Sequence, residues 1–254
     1  MLEVRHLTKR FSRIAAVDDV SFVVRPYEVL GYLGPNGSGK TTTVSMLTGL
    51  LDPTEGEILF DGHRITDDLI AFKQRLGYVP EIPYLYPYLS GLEYLQLAGR
   101  LRAMPDRLMK EKINSLLELF SLHQARHSQI SSYSKGMKQK VLISAALLHN
   151  PDILIFDEPL SGLDVTSALI FKHLVKALAA QGKTILYSSH VLEVVEKVCT
   201  HVMILRKGRV VAHDSVAGLR TLANLPNLED IFAQLVVQED TEETARNILQ
   251  VMQT

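Results

Sequence analysis

Gly34-Pro-Asn-Gly-Ser-Gly-Lys-Thr-Thr42 decides how the rest of this chain is read. Gly34 and Gly39 enclose four residues and are followed by Lys40 and Thr41, the spacing of a phosphate-binding loop. Before the loop, Glu28–Leu33 is an apolar run of strand length. After it, Thr42–Thr48 continues a helix whose first turn is Lys40 and Thr41. A strand feeding a glycine-rich turn (Gly34, Gly37, Gly39) into a helix N-terminus aims successive backbone N–H groups inward. The partial positive charge of the helix end then favours an anion. Lys40 adds a full charge for β- and γ-phosphates, and the Thr41 hydroxyl can ligand Mg²⁺. The stretch Gly34, Pro35, Asn36, Gly37, Ser38, Gly39, Lys40, Thr41 and Thr42 therefore implies a nucleoside triphosphate.

The second strong signal is Ile153-Leu-Ile-Phe-Asp-Glu-Pro159. An apolar strand ending in two carboxylates sets them at the C-terminal edge of a parallel sheet, where ligands bind in such folds. Asp157 suits a metal-holding role, and Glu158 suits polarisation of an attacking water. The plain alternative is a solvent-facing acidic turn. Ser188-Ser-His190 follows another apolar strand, where a histidine is by itself no more than a helix-start residue.

Composition sets the limits. The 254 residues suit one large or two small domains, with 46% hydrophobic and 22% charged residues, the balance of a soluble globular chain. Lys and Arg total 27 against 28 Asp and Glu, so no global charge points to nucleic acid or anionic lipid. Locally, Arg100–Lys140 holds nine basic residues against Asp106, Glu111 and Glu118, and the sign reverses after Leu228. Both stretches read as solvated helix surface, or the first as a basic face toward a nucleotide or lipid headgroups. The single cysteine, Cys199, allows neither a disulfide framework nor a cysteine metal site. The longest apolar run, Val141–Leu148, is far shorter than the roughly 20 residues of a membrane helix, and the N-terminus has no signal-like segment.

Leu2–Leu7 and Val20–Val24 read as strands around a polar turn, Lys9–Arg13, that carries the aromatic Phe11. Glu57–Gly62 and Gly77–Pro80 add two strands. From Gly91 to Leu148 the periodicity is helical, and then strands at 153–156, 184–187 and 202–205 alternate with helices at 166–180 and 191–198. Leu228–Leu235 and Glu243–Met252 read as short helices.

Tyr133-Ser-Lys-Gly-Met137 opens a long helix, and Ser161-Gly-Leu-Asp164 follows the acidic pair. With these in place, the chain over residues 2–215 resembles the nucleotide-binding subunit of an ABC transporter. The resemblance implies an α/β fold: a P-loop NTPase core with a mostly parallel sheet, an N-terminal antiparallel β region and an inserted helical subdomain. It places the ATPase domain at 1–218, its helical insert at about 91–148, and a small helical extension at 219–254.

By the same resemblance, Phe11 stacks on adenine, and Lys40, Glu158 and the switch residue His190 serve catalysis. Thr41, Asp157 and Glu81 serve Mg²⁺. Ser134, Lys135, Gly136 and Met137 form the signature motif that caps the ATP of a partner, and Asp164 crosses the same interface. ATP and Mg²⁺ are the implied cofactors. The implied partners are a separate transmembrane permease and a second ATPase subunit, a homodimer on the cytoplasmic face of the membrane. No nucleic acid is expected.

Two departures stand out. Tyr133, Lys135 and Met137 replace the family's usual leucine, glycine and glutamine, and Glu81 replaces a glutamine. Glu81 keeps an oxygen ligand, loses an amide donor and adds negative charge, so altered Mg²⁺ affinity is expected. Both departures lean toward exporters. The Ile82–Leu89 stretch, rich in tyrosine and proline, reads either as a groove for a permease helix or as packing of the insert on the sheet.

Soluble ABC-type ATPases acting on nucleic acid or ribosomes are the rival reading. Those acting on DNA separate the halves of their site by long coiled coils, whereas fewer than about 120 residues part Lys40 from Asp157. Those acting on ribosomes carry two such domains in one chain, and this chain has one. A P-loop kinase or GTPase leaves 133–137 and 161–164 without a role and has no Asn-Lys-x-Asp here. A scaffold without hydrolysis would not need Lys40 and Glu158.

Overall fold

The computed structural model describes residues 1–223, 225, 227–236 and 251–252. The chain opens with β1 (Leu2–Phe11) and β2 (Ile14–Val24), an antiparallel pair, followed by β3 (Val29–Leu33) and the phosphate loop. Helix α1 (Lys40–Leu47) leads to β4 (Glu55–Phe60), the two-residue β5 (His63–Arg64), α2 (Leu69–Arg75) and β6 (Leu76–Val79). The helical insert holds α3 (Gly91–Leu101), α4 (Asp106–Leu119) and α5 (Lys135–Leu147). Next come β7 (Ile153–Asp157), α6 (Val165–Ala180), β8 (Thr184–Ser188), α7 (Leu192–Val198) and β9 (His201–Arg206). The chain then runs through β10 (Arg209–Ser215), α8 (Val216–Ala223) and α9 (Leu228–Val236).

Two sheets result. One is antiparallel in the order β2-β1-β4-β5, and the other runs β10-β9-β3-β8-β7-β6, parallel except for the β9–β10 hairpin. The central strands β3, β7 and β8 are buried throughout, as strands covered on both faces must be. Their side chains alternate between two cores. Leu154, Phe156, Ile185 and Tyr187 face the helical insert, α6 and α7, whereas Ile153, Ile155, Leu186 and Tyr32 face α1 and the antiparallel sheet. The loops after β3, β7 and β8 consequently emerge together at the C-terminal edge of the sheet.

The sequence reading differs from this structure in detail. β1 runs through Lys9 and Arg10 to Phe11, so the predicted turn shrinks to Ser12 and Arg13. Helices α2 and α8 and strand β5 were not expected. Apart from Val251 and Met252, the helix predicted over Glu243–Met252 lies outside the described residues, as do most of the acidic residues after Leu228. No helix among the described residues is long and apolar enough to cross a membrane.

Candidate nucleotide site

The loop after β3 is shaped by what its glycines approach. Gly39, the N-cap of α1, has φ 103°, and a side chain there would strike the carbonyl of Ala16 in β2. The antiparallel sheet thus presses on the loop from one side. Lys40 folds back over the loop, its Nζ donating to Gly34 O at 2.6 Å and Pro35 O at 3.1 Å. Burial lowers the Lys40 ammonium from its ordinary value, opposed by the nearby carboxylates of Glu158, Asp157 and Glu81.

A cavity of about 280 Å³ is lined by Asn36, Gly37, Gly39, Lys40, Thr41 and Thr42 together with Glu81, Asp157, Glu158 and His190. Four segments far apart in sequence meet here because β3, β6, β7 and β8 end side by side. The cavity also takes in Ala16 of β2, a residue with no chemistry-bearing side chain to mark it in advance. Asp157 is 3% exposed. Burial pushes its carboxyl up to about 6, with the negative Glu81 and Glu158 adding to the shift and Lys40 opposing it. The cavity thus sets three carboxylates against the single ammonium of Lys40.

Glu158 sits at φ 47°, a left-handed conformation that costs an ordinary residue about 1–2 kcal/mol. The turn aims its carboxylate at the loop after β8. Oε1 accepts from His190 N at 2.7 Å and lies 2.8 Å from His190 Nδ1, and Oε2 accepts from Ser189 Oγ at 3.2 Å. Ser189 in turn accepts from Val191 N, which fixes its hydroxyl. Glu158 and His190, predicted separately, are one hydrogen-bonded unit, and Ser189 is the part that sequence reasoning missed.

Ser134, Lys135, Gly136, Met137 and Asp164 do not line this cavity. They form a second cluster. Ser134 caps α5, accepting from Met137 N at 3.2 Å. Gly136 lies against the 161–164 loop, where an added Cβ would sit 2.5 Å from Gly162 O. Gln139 Nε2 donates to Pro159 O at 3.0 Å, and Lys140 reaches Asp164 at 3.2 Å. Asp164 caps α6 through Ser167 N and Ser167 Oγ, and those bonds with Lys140 hold its carboxyl well below the usual range. Its carboxylate is committed within its own chain.

Phe11 does not line the cavity either. It ends β1 on the hairpin whose other strand supplies Ala16, half exposed, with Lys9 Nζ 5.5 Å from its ring centre. The tyrosines after Glu81 are not packed between insert and sheet. Tyr84, Tyr86 and Tyr88 are 80%, 61% and 82% exposed.

The residues present fit a hard divalent cation shared with phosphate. Thr41, Glu81 and Asp157 offer oxygen donors in one cavity, yet no group of three or more acidic, histidine or cysteine side chains among the described residues could cage a metal alone. Mg²⁺ binds in that way, through one or two carboxylates plus substrate oxygens.

Comparison with known proteins gives a consistent answer. Residues 17–161 match the family model described as "ABC transporter". The ABC transporter ATP-binding protein NatA of Bacillus subtilis is 36% identical over 243 residues, covering 94% of this chain and 99% of the relative. The Nod factor export ATP-binding protein I of Cupriavidus metallidurans is 34% identical over 212 residues, covering 84% and 70%. Among solved structures, the dimeric post-hydrolysis state of the ATP-binding cassette MJ0796 bound to ADP and Pi superposes with a TM-score of 0.78. It is 26% identical and covers 85% of this chain and 98% of that one.

Proposed function

The chain belongs to the ABC transporter family as an ATP-binding, ATP-hydrolysing subunit, and on that premise we propose that it drives an exporter by closing and opening a head-to-tail dimer. The observation that carries this reading is the division of the site. The phosphate loop, Glu81, Asp157, Glu158 and His190 share one cavity, while the Ser134–Met137 helix start, anion-facing by its geometry, stands outside it. One chain therefore offers half of each of two sites. In a paired arrangement, Ser134 and Gly136 of one copy cap the triphosphate held by Lys40 and Thr41 of the other. ATP bridges both faces and so favours the closed state.

Within the closed site, Lys40 leaves the loop carbonyls for the β- and γ-phosphate oxygens. Glu158, fixed by Ser189 and His190, accepts a proton from the attacking water, and His190 faces the γ-phosphate. Thr41, Asp157 and Glu81 would hold Mg²⁺, which supplies charge neutralisation to the phosphates. Residues 1–218 form the working ATPase unit, with 219–254 as an appended helical segment. The permease is a separate chain, and this subunit works from the cytoplasmic face. Export is supported by the departures at Glu81, Lys135 and Met137 and by the export role in one relative's name.

The trans arrangement is tested by complementation. Lys40→Ala and Ser134→Phe each inactivate both sites of a homodimer. Mixed together, they form heterodimers in which one composite site has both an intact loop and an intact cap. ATPase activity is expected to return on mixing. A mixture that stays inactive while scattering finds ATP-loaded molecules solitary overturns the proposal.

A further inference from the structure

The three carboxylates of the nucleotide cavity are not equally provided for. Asp157 is buried beside Lys40, and Glu158 is held by Ser189 and His190. Glu81 is exposed, and among the described residues no hydrogen bond or ion pair reaches its carboxylate. Its charge nonetheless acts inside the cavity, where it opposes the lowering of Lys40 and helps to push Asp157 up. A triphosphate entering this space brings further negative charge and meets a carboxylate that nothing in the chain neutralises.

The second cluster carries the opposite imbalance. Lys135 is the first residue of α5, between the capping Ser134 and Gly136. The first turn holds no acidic residue, so the partial positive charge of the helix end acts unopposed on Lys135 and Lys138. The nearby carboxylate of Asp164 is taken by Lys140 and by the cap of α6. Lys135 is exposed, and among the described residues no hydrogen bond or ion pair reaches its ammonium. Its stem, however, is seated. A Cβ added to Gly162, at φ 77°, would sit 2.7 Å from Lys135 Cγ and 2.9 Å from Cδ, so the stem lies along the Gly162 backbone. An ammonium on a seated stem loses less freedom on pairing than one on a free side chain.

We propose that in the closed dimer Lys135 of each copy forms an ion pair with Glu81 of the other, so that each cap carries to the cavity a cation that the cavity's own chain does not supply. This pairing rests on the reading of Ser134 and Gly136 as a cap in trans, and adds a charge contact which that reading does not require. Lys135 lies between those two residues, and Glu81 lines the cavity they would cover. A carboxylate has two acceptor oxygens, so Glu81 can serve the metal and the ammonium together. The contact forms twice in a homodimer, from two groups that are both unpaired in the free protomer.

The test is a double-mutant cycle on the full chain. Its readout is the dimer dissociation constant in sedimentation velocity, with Mg²⁺ and a non-hydrolysable ATP analogue. Lys135→Gln is expected to weaken the dimer about tenfold or more in the parent, and by no more than about twofold in Glu81→Gln. Lys135→Glu sets carboxylate against carboxylate and should weaken the parent further, with most of that extra loss gone in Glu81→Gln. The difference between backgrounds should shrink as salt is raised. Circular dichroism and thermal unfolding check that each variant is folded. At protein concentrations too low for pairing, fluorescent ATP should bind Lys135→Gln as it binds the parent, because Lys135 does not line its own cavity. Equal weakening by Lys135→Gln in both backgrounds overturns the pair with Glu81 and leaves the cap in trans standing. Parent molecules that stay solitary with nucleotide overturn the cap in trans, and the ion pair with it.

Discussion

Replacing Glu158 by Gln separates binding from hydrolysis, and the structure sets the size of each effect. The Gln amide oxygen keeps the bond from His190 N, and its amide group can donate to Ser189 Oγ, so the turn loses charge assistance and no partner. That weakening is about 1 kcal/mol, a shift of about 2–4 °C in Tm for a chain of this size. Binding should be undiminished. Glu158 is one of two carboxylates that hold the Asp157 carboxyl up, so removing its charge lets Asp157 ionise more readily. Turnover, by contrast, loses its proton acceptor, and general-base catalysis contributes about a hundred- to ten-thousand-fold. Phosphate release should fall by that factor, fluorescent ATP should bind as to the parent, and sedimentation should find an accumulating ATP-bound dimer. Hydrolysis at the parent rate would refute the role of Glu158. Loss of ATP binding with an unchanged melting curve would refute the charge argument.

Two further outcomes follow from single positions. Gly39→Ala forces φ 103° on an alanine and drives its Cβ into the Ala16 carbonyl, backbone that cannot swing aside, at a cost of about 2–4 kcal/mol. Thermal unfolding should drop accordingly, and ATP binding should be lost in the fraction that remains folded. His149 is held neutral by burial and by Arg102, which lower its pKa to about 4. Between about pH 6.5 and 4 the unfolded chain therefore takes up more protons than the folded one. Stability is full above 6.5 and falls as the pH drops toward 4, by about 1–2 kcal/mol once solvent screening of this partly buried ring is allowed for. Urea unfolding at pH 7 and pH 4.5 should differ less in His149→Gln than in the parent, and equal differences would exclude the histidine as the source.

What was legible in the sequence was what the backbone or a strand end dictates. The phosphate loop could be read because its glycines have no substitutes. Asp157, Glu158 and His190 could be read because each follows an apolar run. The parallel sheet was legible because its central strands are buried on both faces. Helix α2 was not, because only Phe72 of its seven residues is buried and its start rests on an Asp68 cap rather than on a periodic face. The true length of β1 was hidden by register shifts after Val4, Leu7 and Lys9, which break the alternation that marks a strand. Ala16 gave no signal because its carbonyl, not its side chain, packs against the loop. Ser189 carries no sequence signal because its role depends on the left-handed turn at Glu158, which no local pattern announces.

The short path between the two clusters bears on how hydrolysis could be felt at the dimer face. Only Pro159–Leu163 separates Glu158 from Asp164, and the segment from Pro159 to Asp164 touches α5 at three places. Gln139 holds the Pro159 carbonyl, Gly136 lies on the Gly162 carbonyl, and Lys140 holds Asp164. Two of these contacts are made to backbone carbonyls, so they follow the loop rather than a flexible side chain. In the proposed clamp, a shift of Glu158 as the γ-phosphate leaves would move the segment on which the start of α5 rests. The cap offered to one triphosphate is thereby tied to the state of the other. Gln139→Leu tests this link, because it removes the buried amide donor while approximately keeping volume. It should lower the cooperativity of ATP hydrolysis while leaving single-site nucleotide affinity unchanged. Cooperativity equal to that of the parent would show that the two clusters act independently.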